Sequence, residues 1–219
     1  MLSESLKIAK SLKTFCKKIN YKFAYVYLIG FCIFPITWFA VIQVDFRNWY
    51  NLLFWIVLEL AADLKPFRSI FYYRMDMTLS FSVQLSMIIL LDKWEAVLVV
   101  IIATLIAEFI SKKDWYKVLF NTGQYSLCLL ITSIIFNLLK LSPPDVTLDI
   151  IKDLPAIIIS VIVYYSLNTF FISIVISLFT GNRFIDVFLN DYKLMVWFYF
   201  SIAPISVAAS LLYNPAQPY

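Results

Sequence analysis

The segment Pro155–Phe179, PAIIISVIVYYSLNTFFISIVISLF, decides the fold. It contains no Asp, Glu, Lys or Arg, and formal charge is absent from Leu154 all the way to Asn182. As an α-helix at 1.5 Å per residue, its roughly 25 residues reach about 38 Å, more than the ~30 Å hydrocarbon core of a bilayer. A soluble helix of that length would show a charged or strongly polar face, whereas the polar side chains here are Ser, Thr, Asn and Tyr. The segment reads as a membrane-spanning helix.

Six further apolar runs separated by charged clusters lie to either side: Ala24–Val44, Trp49–Leu64, Met77–Leu91, Trp94–Ile110, Val118–Leu139 and Met195–Tyr213. All are expected to be helical, because an unpaired backbone cannot face lipid and no run shows the alternation of a barrel strand. The expected fold is therefore all-α, a polytopic membrane bundle of about seven transmembrane helices, within a range of six to eight, with its N-terminus inside. Residues 1–22 form a basic amphipathic cytoplasmic segment, 23–213 the bundle and 214–219 a short tail. The runs at Trp49 and Met77 are short for a span, so each borrows flanking residues, thins the bilayer or sits partly re-entrant.

Composition agrees. The 219 residues are 62% hydrophobic and 15% charged, with 3 Gly, whereas a soluble domain carries about 25% charge. With no His, zinc sites and His-dependent triads are excluded. Three glycines cannot build a phosphate-cradling loop. Cys16, Cys32 and Cys128 are too scattered for a Cys-x-x-Cys pair and read as small hydrophobes. The last span has no Lys for a retinal Schiff base. No catalytic residue, metal or cofactor is expected, and the chain is not expected to be an enzyme.

Charge placement sets the orientation, since Lys and Arg accumulate in cytoplasmic loops. Lys7, Lys10, Lys13, Lys17, Lys18 and Lys22 precede the first span. With that end inside, Lys65, Arg68, Arg74, Lys112, Lys113, Lys117, Arg183 and Lys193 are inside too, and only Arg47, Lys93, Lys140 and Lys152 lie outside. The net charge of +4 thus belongs to loops, and nucleic acid is not an expected partner. Ile8, Leu12, Phe15 and Ile19 fall on one helical face opposite the lysines, which suits either an interfacial helix or a topogenic charge cluster.

Polar groups at membrane depth are costly and therefore point to function. Glu59 and Asp63, four residues apart, share a helix face and form a candidate ion or proton site; alternatively Asp63 lies at the interface beside Lys65 and Glu59 snorkels. Thr78, Ser82 and Ser86 form one stripe of the third run and Ser80 and Gln84 another, which places that helix centrally, either by hydroxyl packing or as a ligand wall. Asn121, Gln124, Tyr125, Cys128 and Thr132 make the sharpest stripe, and Ser160, Tyr164 and Asn168 step by four on the next helix. Amides both donate and accept without adding charge, so Gln84, Asn121, Gln124, Tyr125, Tyr164 and Asn168 are the candidate ligand-binding residues for a small polar or amphipathic molecule. The competing reading is that the amides merely join helices. Pro35 and Pro204 should kink their helices, and Glu108 is expected to pair with Lys112 four residues on.

Four stretches carry a resemblance: Met77–Leu91 (MTLSFSVQLSMIILL), Phe120–Leu127 (FNTGQYSL), Leu167–Phe171 (LNTFF) and Ile202–Tyr213 (IAPISVAASLLY). Together they resemble the multi-helix N-terminal membrane sensor module of bacterial HD-GYP and GGDEF proteins, whose output domains turn over cyclic di-GMP. The resemblance implies a multi-pass protein of the bacterial inner membrane that senses a ligand and passes a signal to a cytoplasmic output domain or homodimer. It also implies that Asn121, Gln124 and Asn168 are recurrent polar positions. Members usually continue through a further helix into the catalytic domain, and this chain stops soon after Tyr213. The alternative class is a small-solute transporter or the substrate-capture subunit of an importer, for which Glu59 and Asp63 would be coupling groups.

Overall fold

The computed structural model describes residues 21–64, 67–68, 76–77, 79–143 and 148–213. The lysine-rich amphipathic segment before Tyr21, Lys65, Arg74, Thr78 and the tail from Asn214 lie outside the described residues. Eight helices are described: α1 Tyr21–Phe31, α2 Ile33–Gln43, α3 Trp49–Asp63, α4 Ser80–Leu90, α5 Lys93–Ile110, α6 Trp115–Leu139, α7 Ile150–Thr180 and α8 Phe184–Leu212. A 3-10 turn at Phe46–Asn48 precedes α3, and a two-residue antiparallel pairing joins β1 (Phe67–Arg68) to β2 (Asp76–Met77) between α3 and α4.

Each expected run corresponds to a helical rod. The first is α1 and α2 together, broken at Cys32. Pro35 has no N–H to offer the Phe31 carbonyl, so the ladder loses a bond where the kink was expected. The structure extends the run expected at Pro155: α7 starts at Ile150, because the Asp149 carboxylate accepts from the Ile151 and Lys152 backbone N–H groups at 3.2 Å. Pro155 is carried inside that helix. Gly181, at φ 79°, ends α7 in the left-handed conformation, and its N–H bonds the Ser177 carbonyl at 2.9 Å.

Four segments are long and apolar enough to cross a bilayer: Lys22–Gln43, Trp115–Leu139, Ile150–Thr180 and Met195–Leu212. Helices α3 and α4 are shorter, at 15 and 11 residues, and α5 carries Lys93, Glu95 and Glu108. Contacts at the ends show that the rods alternate in direction. At the basic end, Phe23 of α1 meets Tyr116 and Phe179 edge-on, with centroids 5.3 and 5.5 Å apart. At the opposite end, Phe39 stacks on Trp94 at 6.1 Å and the Tyr213 hydroxyl donates to Asn51 Oδ1.

The expected central helix is α4, where every residue from Ser80 to Ile89 except Ser82 is buried. At about 16 Å it is half a bilayer thick, and it is enclosed by α3, α5, α6 and α8 rather than by lipid. Exposed Leu28, Phe34, Trp38, Phe109, Ile151, Trp197 and Leu212 lie on the outside of the bundle, as a lipid-facing surface requires. Helices α1 and α6 cross at backbone contact: a Cβ on Gly123 would sit 2.4 Å from the Ile29 carbonyl oxygen, and one on Gly30 would sit 2.5 Å from Leu119 Cγ.

Candidate functional site

Two hydrogen-bonded chains cross the middle of the bundle. In the first, α3 presents Glu59, fully buried, toward α4. Gln84 Nε2 donates to Glu59 Oε1 at 2.5 Å, and Gln84 Oε1 accepts from the Tyr164 hydroxyl of α7. Glu59 Oε2 has no partner, and no cation pairs with Glu59 among the described residues. A carboxylate in this setting depends strongly on the single amide that reaches it. Asp63, one turn on, accepts from the Ser80 hydroxyl instead, so α3 and α4 are joined at two levels.

In the second chain, Gln124 Nε2 of α6 donates to Asn168 Oδ1 of α7, and Asn168 Nδ2 donates to the Tyr199 hydroxyl of α8 at 2.6 Å. Aromatic rings lie between the two chains. Phe81 lies 5.2 Å from Tyr164 and 4.4 Å from Tyr199, and Tyr165 lies 5.0 Å from Tyr199. Tyr125 packs half-buried against the same core. Five helices are thereby tied through amides and phenols, as expected of side chains that satisfy one another away from water.

The structure divides the residues expected on one cavity. Gln124 and Asn168 meet, whereas Asn121 donates to Glu108 Oε1 of α5 at 3.0 Å. The reason is lateral: at the basic end of α6 the Asn121 edge of the polar stripe faces α5, and one turn farther the Gln124 edge faces α7. Glu108 does not pair with Lys112. Lys112 adopts φ 53° in the tight α5–α6 turn, and Lys113 swings back to Glu108 Oε1 at 2.8 Å. Tyr199, at the end of the second chain, is not singled out by the sequence, because it lies within the uniformly aromatic run Trp197–Phe200. The sequence likewise does not single out Asp153. Its buried carboxylate accepts from the backbone N–H groups of Leu141, Ser142 and Asp149 at 2.9, 2.9 and 3.0 Å, fastening the α6–α7 loop.

Asn121 also lines a cavity of about 420 Å³ between α1, α6 and α7 at the basic end. Lys113, Tyr116 and Lys117 stand at its mouth, and Val26, Phe120, Ile172, Val175 and Phe179 form its walls. The volume falls within the ~300–1,000 Å³ of small-molecule sites. A second cavity of about 380 Å³ between α7 and α8 has an apolar lining throughout, Pro204 included. No group of three His, Cys, Asp or Glu among the described residues could hold a metal ion.

The sequence profile of the family MASE9 matches residues 36–217, most of the chain. The chain belongs to the MASE9 family. MASE domains are membrane-associated, multi-helix sensor modules, so this MASE9 chain is a membrane protein of sensor type with a helical bundle. The match begins inside the first rod and takes in α3 to α8, both hydrogen-bonded chains and most of the cavity wall. No curated protein and no solved structure matches the chain.

Proposed function

We propose that this MASE9 chain senses rather than catalyses, binding a ligand in the cavity beside Asn121 and passing its occupancy to a cytoplasmic output that sets cyclic di-GMP levels. In this reading the lysine-rich end faces the cytoplasm of a bacterial inner membrane, as the distribution of Lys and Arg favours. The observation that carries it is proximity along α6: Asn121 at the cavity and Gln124 in the Asn168–Tyr199 chain lie less than one turn apart. An occupant wedged against α6 and α7 acts on two of the three helices that the second chain ties together, and a differential affinity of a few kcal/mol for the two arrangements is enough to shift their populations. The cyclic di-GMP part rests on the resemblance of Met77–Leu91, Phe120–Leu127, Leu167–Phe171 and Ile202–Tyr213 to modules preceding HD-GYP and GGDEF domains.

The test is cellular. Replacing the chromosomal copy with Gln124→Leu should change the cyclic di-GMP content at unchanged protein level. An unchanged content in Gln124→Leu and Asn168→Leu cells alike would refute the signalling role. Glu59, buried with one oxygen free, favours the rival reading of ion-coupled transport. Sustained solute uptake against a gradient by the purified chain in liposomes would replace the sensor reading with that one.

A further inference from the structure

We infer that the cavity between α1, α6 and α7 seats an anionic lipid of the adjoining leaflet, its acidic head at the lysine mouth and its acyl chain along the apolar walls. The inference rests on the reading of this cavity as the sensory site and names its ligand class. The first argument is the order of residues with depth. Of the lining, Lys117 and Phe179 lie nearest the basic end, with Lys22 over the Phe179 ring one turn outside Val26, and Val26, Phe120 and Val175 follow three to four residues farther in on the same three helices, about 5 Å deeper. Polarity therefore changes from cationic to apolar along the membrane normal, as it does along a lipid.

Charge supplies the second argument. Lys113 is neutralised by Glu108 at 2.8 Å and Lys117 by Asp114 at 2.7 Å. Lys22 lies over the Phe179 ring, 5.9 Å from its centroid, and pairs with no carboxylate among the described residues. Among the described residues Lys22 is thus a cation beside the mouth with no carboxylate partner, and the Lys117–Asp114 pair is solvent-exposed and weak enough to open for a phosphate or carboxylate. The α7–α8 cavity has no such cation and no head-group partner. A third argument is mechanical. Helices α1 and α6 touch backbone to backbone at Gly30 and Gly123, above the cavity, so an acyl chain entering below that crossing levers α1 outward instead of lifting it away.

The experiment is native mass spectrometry of the full chain in detergent, titrated with phosphatidylglycerol, with phosphatidylcholine of the same acyl chains, and with inorganic phosphate. Phosphatidylglycerol adducts should exceed phosphatidylcholine adducts at least tenfold. The double variant Lys22→Gln/Lys117→Gln should lose binding by roughly thirtyfold, from about one surface-lysine contribution each. Lys140→Gln/Lys152→Gln, at the opposite end, should bind as the parent does. Val175→Trp, which fills the cavity without touching charge, should abolish the adduct while leaving the thermal midpoint near the parent value. Equal adducts with both lipids, equal losses in both lysine pairs, or retention in Val175→Trp would each overturn the assignment. Displacement by inorganic phosphate alone would show that the acyl chain contributes nothing and would overturn it as well. Failure here condemns the ligand class, whereas the Gln124→Leu cyclic di-GMP measurement judges the sensor reading separately.

Discussion

Replacing Gln84 with Leu probes the first hydrogen-bonded chain where it is least redundant. Gln84 Nε2 is the donor to Glu59, and its carbonyl is the acceptor for Tyr164. Leu is close in volume, so cavity formation contributes little and the cost is almost wholly polar. Leaving the buried Glu59 carboxyl without its donor costs about 1–3 kcal/mol, and an interhelical bond between neutral groups in a membrane protein averages about 0.6 kcal/mol. The sum is about 3 kcal/mol, or roughly 6–12 °C in thermal midpoint for a domain of this size. The decisive comparison is Glu59→Leu/Gln84→Leu, which also removes the stranded carboxylate. Replacing a buried polar group together with its partner is often close to neutral, whereas removing one partner is not. Thermal unfolding in one detergent should therefore find the double variant more stable than Gln84→Leu by at least half the single variant's loss. A single variant within about 1 kcal/mol of the parent, or two losses that simply add, would refute the contact and the reasoning from it.

Three other outcomes are expected. Asp153→Ala leaves three backbone N–H groups without their carboxylate and should cost ~3 kcal/mol, with faster proteolysis between Leu141 and Asp149 as the specific sign. On a background lacking Cys16, Cys32 and Cys128, Leu141→Cys should react with an impermeant maleimide added outside intact cells and Ser111→Cys only after permeabilisation; the reverse would invert the topology. Asp45, held down to about 2 by its bonds to the Arg47 guanidinium and backbone, stabilises the folded chain above the ordinary carboxylate pKa near 4. The benefit is lost as pH falls through about 2, so the midpoints of parent and Asp45→Asn should stay parallel above pH 5 and converge in acid.

The helical bundle was legible because lipid imposes it: runs such as Pro155–Phe179 admit no other backbone, and Pro35 marks a break by local chemistry, whereas the earlier start of α7 at Ile150 depends on the Asp149 cap that the apolar run does not show. The interior position of α4 was also legible, since Ser80, Ser82, Gln84 and Ser86 occupy two faces and lipid would tolerate neither. Partner choice was not. Glu59 and Gln84 lie 25 residues apart, and Tyr164 and Gln84 lie 80 apart, so their meeting depends on which rods lie side by side. Hydrophobic periodicity within one helix carries no record of that arrangement. Asn121 shows the cost of the gap: its partner Glu108 lies on α5, and nothing in the α6 stripe distinguishes the side that bonds α5 from the side that bonds α7.

The Gly30–Gly123 crossing has a consequence for which sequence changes can compensate one another. A methyl group at position 30 runs first into the Leu119 side chain, 2.5 Å from Cγ and 3.0 Å from Cδ2, so Gly30→Ala has a suppressor within reach in Leu119→Ala. A methyl group at position 123 meets the Ile29 carbonyl oxygen at 2.4 Å and Gly30 Cα at 3.0 Å, and no side-chain exchange retracts a main chain. Two glycines that face each other are thus unequal under mutation: changes at one are reversible elsewhere in the chain, while changes at the other must move a helix.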